Sequence, residues 1–206
     1  MPLNDAGRAA CLLGGLTNAI QYVSVHDAIP GDTGTDEVTG GSYARVVVDW
    51  HPPAGGAATN DGALTHNMPA GSTAVAYGLW SALSGGTYYG WSPIKPDQYG
   101  YGSVDAAGVT ADAIQSAAHG LSNGDRVALF GVLGASLPTG LIENTLYYVV
   151  QAATDTFKVS LTLGGSPVGI TGQGELFWMR CIPETFASAG QLVTADEALV
   201  LDATGI

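Results

Sequence analysis

Apolar positions along the chain change period once, near its start. Over residues 3–16, Ala9, Leu12, Leu13 and Leu16 fall at helical spacing. Asn4 or Asp5 can cap this run by accepting a hydrogen bond from a free backbone N–H, and Gly14 and Gly15 end it, so a short N-terminal helix is predicted. From Gln21 the period becomes two. Tyr22, Ser24 and His26 share one face of a strand, with Val23 and Val25 on the other. A polar loop over 28–41 follows, and then a β-branched run from Tyr43 to Trp50 that reads as a buried strand. His51 to Gly56 cannot extend it, because Pro52 and Pro53 have no N–H to donate. Short strands are predicted at 62–68, 73–80 and 87–91, separated by Pro69-Ala70-Gly71 and Ser84-Gly85-Gly86.

Residues 93–108 read as a loop punctuated by Pro96, Gly100, Gly102 and Gly108, after which a second set of strands begins. Asn123-Gly124 is a tight-turn signal leading into 126–130. Residues 145–150 and 156–163 flank a short connection and predict a hairpin, with Phe157, Val159, Leu161 and Leu163 on its apolar face. Residues 191–194 and 198–201 predict a closing hairpin. Strands this short and this closely spaced point to an all-β protein of jelly-roll or β-sandwich type.

Composition sharpens that picture. Only 12% of the 206 residues are charged, against about 25% in an ordinary soluble domain. The hydrophobic fraction is 46% and the mean hydropathy +0.21. Thirty glycines and ten prolines favour many short elements. Such a surface is built from Gly, Ser, Thr, Asn and Ala and suits a subunit covered by neighbours better than a free monomer. The net charge of −12 comes from 18 acids and 6 bases. The bases, Arg8, Arg45, Lys95, Arg126, Lys158 and Arg180, are scattered singly. No cluster can neutralise several phosphates or an anionic membrane, so neither nucleic acid nor membrane is expected as a partner. Cys11 and Cys181 do not make a disulfide framework. The opening residues show no secretory leader, and no apolar run approaches the roughly 20 residues of a membrane span.

The first half resembles tail-fibre-like or minor tail structural proteins of actinobacterial tailed phages. Leu3 to Gly7, Val23 to His26 and the loop Pro30 to Gly41 carry the likeness, with Ser42 to Arg45, Pro69 to Thr73, Gly78 to Ser81 and Gly86 to Gly90 continuing it. The loop is its most specific piece. Such proteins run from a Gly-Trp-Ser-Pro region directly into a final pair of strands. Here that ending, Pro183 to Thr194, arrives about ninety residues late. The resemblance therefore implies a discontinuous β-sandwich domain over 1–103 and 182–206 carrying an inserted small β-barrel over 104–181. Ala118 to Val127, Leu137 to Leu141, Tyr147 to Val150 and Thr156 to Ser160 make the insert resemble the module named after the first catalytic-cysteine half-domain of ubiquitin-activating enzymes. That name imports no chemistry, since Cys181 sits at the module's exit with no histidine near it in sequence.

No catalytic, cofactor-binding or metal-binding residue is assigned. His26, His51, His66 and His119 lack a second ligand at short spacing. Asp32, Asp36 and Glu37 have oxygen ligands for Ca²⁺ but not the EF-hand spacing. Gly120 to Gly124 spells Gly-x-Ser-x-Gly, but its Asn123-Gly124 turn leads into the predicted strand 126–130 and not into the helix that a nucleophile elbow requires, and Asp196-Glu197 reads as a turn. The expected role is a non-enzymatic structural protein of a tailed-bacteriophage virion, assembled in the host cytoplasm. Its position would be on the tail or, as a decoration protein, on the capsid, and its partners major capsid or tail proteins and copies of itself in symmetric homo-oligomers such as trimers. The alternative is a module binding host-surface glycans through the insert or through the aromatic run Trp80, Tyr88, Tyr89, Trp91, Tyr99 and Tyr101.

Overall fold

The computed structural model describes residues 15–52, 57–105, 112–132 and 135–202. Most of the helix predicted over 3–16 lies outside the described residues, as does Cys11; what is seen is a four-residue helix α1 (Leu16–Ala19). The strands run, in chain order, β1 (Tyr22–His26), β2 (Val46–Val47), β3 (Asp49–Trp50), β4 (Ala57–Asp61), β5 (Leu64–Met68), β6 (Ser72–Ala74), β7 (Ala76–Trp80) and β8 (Tyr88–Pro93). Then come β9 (Tyr99–Val104), β10 (Ile114–Gln115), β11 (Arg126–Gly131), β12 (Leu146–Val150), β13 (Thr156–Ser160) and β14 (Gly174–Cys181), followed by β15 (Glu184–Phe186), β16 (Gly190–Thr194) and β17 (Val200–Asp202). The protein is all-β and forms two compact units, one of residues 1–94 with 183–206 and one of residues 95–182.

In the discontinuous unit, an antiparallel sheet of order β2-β1-β7-β8 is joined by the small ladders β15-β6, β16-β5 and β17-β4-β3. Val23, Val25, Met68, Leu79, Leu192 and Leu201 from these elements, with Ile20 and Ile94 just outside them, bury into one core. Each such side chain contributes about 1.5–3 kcal/mol relative to exposure. The run 43–50 is not one strand. It splits at buried Val48, whose N–H donates to the Gln21 carbonyl (2.9 Å), so that β2 pairs with β1 and β3 with β4. Nor do 191–194 and 198–201 pair with each other: β16 pairs with β5 and β17 with β4. Asn60, fully buried, imposes this by clamping the intervening turn. Its Nδ2–H donates to the Ala195 carbonyl (2.9 Å) and its Oδ1 accepts the Leu199 N–H (2.8 Å).

The second unit is a closed barrel of order β10-β13-β12-β11-β14-β9. The predicted hairpin is β12 and β13, but its apolar face stops at Val159; the strand ends at Ser160, and Leu161 and Leu163 are exposed. Residues 99–104, read as loop, form β9, paired with β14 over six residues. A Cβ on Gly100 would lie 2.9 Å from Cζ2 of Trp178, and one on Gly102 2.7 Å from Cγ2 of Ile114. Glycine therefore takes the inner positions so that Trp178 and Ile114 can fill the barrel, while Tyr99 and Tyr101 point out. With β9 in the barrel, the compact unit begins at Lys95 instead of residue 104.

Candidate functional site

Three arrangements of polar or aromatic side chains stand out. The first lies between β1 and β7, where Ser24 and His26 are both fully buried. The Thr35 carbonyl, which can only accept, lies 2.6 Å from His26 Nδ1, so Nδ1 carries the proton. Nε2 then accepts the Ser24 hydroxyl (2.7 Å), and Ser24 Oγ accepts Nε1–H of Trp80 (2.9 Å). Nucleophile, base and orienting acceptor are thus in the order a hydrolase would use. No substrate atom can reach them. Trp80 is itself buried, and a Cβ on Gly78 would fall 2.4 Å from both Ser24 Oγ and His26 Nε2. The network is an internal fastener. Both ring nitrogens of His26 are taken up in these bonds, and the face it shares with Ser24 is covered instead of solvated.

The same fastener organises the loop after β1. Val38 N–H donates to the Val25 carbonyl (2.9 Å), and Asp27 N–H to that of Asp36 (3.0 Å). Both carboxylate oxygens of Glu37 accept from Arg45 (2.7 to 3.2 Å), leaving Glu37 committed, while Asp32 and Asp36 are exposed. Arg45 also donates to the carbonyls of Ala82 (2.9 Å) and Gly85 (2.8 Å), and its guanidinium lies 3.6 Å above the Trp80 ring. Gly34, at φ +73°, lets the loop touch Trp80 and Tyr88, where a Cβ would come within 2.5 Å of the indole.

His66, also buried, packs between the Tyr43 and Tyr77 rings and hydrogen-bonds the Val23 carbonyl through Nε2 (3.0 Å). Burial lowers the pKa of both His26 and His66 from the ordinary imidazole value, and raises those of the Tyr43 and Tyr88 hydroxyls. An imidazole that is harder to protonate folded than unfolded takes up a proton on unfolding. Its contribution is therefore complete above the unfolded pKa of about 6.5 and is lost as pH falls below it. The melting temperature is expected to be level from pH 8 to 7 and to decline between pH 6.5 and 5. Circular dichroism melts across that range check this, and a flat profile would contradict it.

The second arrangement is at the surface. His51 Nε2 lies 3.2 Å from Asp196 Oδ1 and 3.7 Å from Asp61 Oδ1. Asp196 Oδ1 also accepts the Gly62 N–H (2.8 Å), and this bond, then that to His51, hold its carboxyl below the usual carboxylate range. Sequence spacing could not reveal the trio, since 145 residues separate His51 from Asp196. Its oxygens tie the turn at Asp196 and Glu197 to the β4–β5 connection, as ordinary surface hydrogen bonding would.

The third is a cleft of about 560 Å³ in the barrel, where β9 and the chain after β10 diverge. Trp178 forms part of its lining, 2% exposed, with Nε1–H donating to Ser116 Oγ (3.0 Å). His119 commits both ring nitrogens, Nδ1 to the Leu121 N–H (3.0 Å) and Nε2 to the Thr156 carbonyl (3.2 Å). Tyr99 and Tyr101 line it at 70% and 72% exposure. The aromatic run noted in the sequence is therefore sorted by the fold. Trp80, Tyr88 and Trp91 are buried and Tyr89 half-buried, so none of the first three offers a face to a ligand. Cys181, at the end of β14, is also buried.

Taken together, these features define an all-β subunit whose best-organised polar groups are consumed in holding its own loops. Residues 17–126 match the family described as podophage GP4 fiber I protein gp80. The chain belongs to that family and is a phage tail structural protein, a component of the virion. No curated protein and no solved structure matches it.

Proposed function

We propose that this chain is a non-enzymatic exterior subunit of the phage tail, fibre-like in role, which acts by packing against tail proteins and against copies of itself in symmetric homo-oligomers such as trimers. The family match carries the reading, because it spans the fastened loop as well as the strands around it. Two further observations support it. Charged residues are only 12% of the chain, which favours surfaces covered by neighbours. The one serine–histidine pair with hydrolase-like geometry among the described residues is sealed. In this reading, residues 95–182 form an inserted barrel. Capsid decoration is the competing placement. Gold-labelled antibodies against this chain, imaged on intact particles, separate the two. Label confined to the tail is the expected result; label spread over the head would overturn the tail assignment.

A further inference from the structure

We propose that His51, Asp61 and Asp196 together bind a divalent first-row transition cation of the zinc type, which pins the turn before β17 to the end of β4. This site lies outside the structural role proposed above, and either reading can fail without the other.

Ordinary surface bonding accounts for only part of the trio. Asp196 Oδ1 has the Gly62 N–H and His51 Nε2 as partners. Asp61 has no backbone donor, and no arginine or lysine among the described residues is paired with it. Its Oδ1 nonetheless lies 3.7 Å from the same ring nitrogen that Asp196 approaches to 3.2 Å. Nε2 carries at most one proton, and that proton can serve one carboxylate well. Asp49 adds to the excess of negative charge. It is opposite Asp61 in the β3–β4 ladder, where like charges repel. A divalent cation in place of the proton bonds the imidazole and both carboxylates at once.

Spacing and donor type select the cation. The three ligand atoms all lie within 4.8 Å of one another. A tetrahedral Zn²⁺, with bonds of about 2.0–2.1 Å, holds its ligand atoms about 3.3 Å apart. The two distances from His51 Nε2, 3.2 and 3.7 Å, straddle that value. A water or an ammonium group, about 2.8 Å from each atom, would spread them to about 4.6 Å. Calcium takes six to eight oxygens, whereas one of the three donors here is an imidazole nitrogen, which suits zinc and its neighbours.

The site is also held from below by a buried residue. Asn60, next to Asp61, donates through Nδ2 to the carbonyls of Gly62 (2.7 Å) and Ala195 (2.9 Å), and its own carbonyl accepts the Glu197 N–H (3.1 Å). The chain on both sides of Asp196 is thereby fixed against β4. The His51 N–H donates to the Thr59 carbonyl (2.9 Å), which keeps that residue in register beside them. Ligands already brought together lose little freedom when the cation arrives.

Isothermal titration calorimetry on the untagged full chain, first freed of metal with EDTA, tests this with Zn²⁺ and with Ca²⁺ as comparator. Zn²⁺ should bind at least about tenfold more tightly than Ca²⁺. His51→Ala and Asp61→Asn should each weaken Zn²⁺ binding by at least about tenfold. Saturating Zn²⁺ should raise the melting temperature of the parent by about 3 °C or more, and EDTA should reverse the rise. The Asp61 side chain is 58% exposed, so Asp61→Asn should melt with the parent in EDTA, which separates a lost ligand from a lost fold. No Zn²⁺ binding at concentrations up to about 1 mM would overturn the proposal. So would Zn²⁺ binding that neither substitution weakens, or Ca²⁺ bound as tightly as Zn²⁺.

Discussion

Replacing Gly78 with alanine should destabilise the discontinuous unit by about 3 kcal/mol or more. The new methyl would sit 2.4 Å from Ser24 Oγ and from His26 Nε2, and 3.1 Å from His26 Cδ2. Its neighbours are the two ends of a single hydrogen bond in the middle of a sheet, opposite the residue being changed. They have no open space to move into. If the imidazole rotates, it abandons the Thr35 carbonyl and frees the loop after β1. If Ser24 turns, it strands the Trp80 N–H. Each orphaned buried group costs about 1–3 kcal/mol, and forced packing about as much again. Since whole domains are stable by only about 5–15 kcal/mol, a large loss of soluble yield should accompany the change. Urea denaturation measures the first effect. Ser24→Ala alone should cost less, and in the Gly78→Ala background it should cost little further, because it removes one of the two clashing atoms. A Gly78→Ala protein within about 0.5 kcal/mol of the parent would mean the fastener is not tightly packed.

The fastener also shows how far this sequence could be read. The alternation of Tyr22 to His26 is visible and gives β1 correctly, but alternation of polar with apolar residues ordinarily marks a solvated face. Here Ser24 and His26 satisfy each other and Trp80, so the polar face is buried too. Short-range signals were legible where side chains pack as their type suggests, as in the hairpin of β12 and β13. They failed where glycine replaces an aliphatic residue on an inner face, as at Gly100 and Gly102. Long-range clamps left no local trace. Asn60 looks like a turn residue, and only the fold brings Ala195 and Leu199 to its amide. The aromatic run had the same limit. Neighbours in sequence gave candidates for a sugar platform, but Phe177, which braces the exposed pair, lies 76 residues from Tyr101.

Arg45→Ala should rank next in effect, at about 3 kcal/mol. Arg45 joins four structures: the Glu37 carboxylate, the Ala82 and Gly85 carbonyls, and the Trp80 ring. Its side chain is 8% exposed and that of Glu37 22%, so removing the guanidinium leaves a largely dehydrated carboxylate without its counter-ion. The remaining water contact keeps the loss toward the lower end of the range for a broken buried pair, about 3–5 kcal/mol. Lysine should recover only part of it. One ammonium cannot serve both Glu37 oxygens and two carbonyls, nor lie flat on the indole. The informative comparison is the double change Arg45→Met with Glu37→Met. Replacing an entire buried pair with apolar side chains is often close to neutral, so the double variant should be more stable than Arg45→Ala alone. Chemical denaturation midpoints for the three proteins supply the test. If the double variant is the least stable, the ion pair itself carries the stability; if Arg45→Ala falls within about 0.5 kcal/mol of the parent, the loop over 28–41 is held by its backbone bonds to β1 and not by this cation.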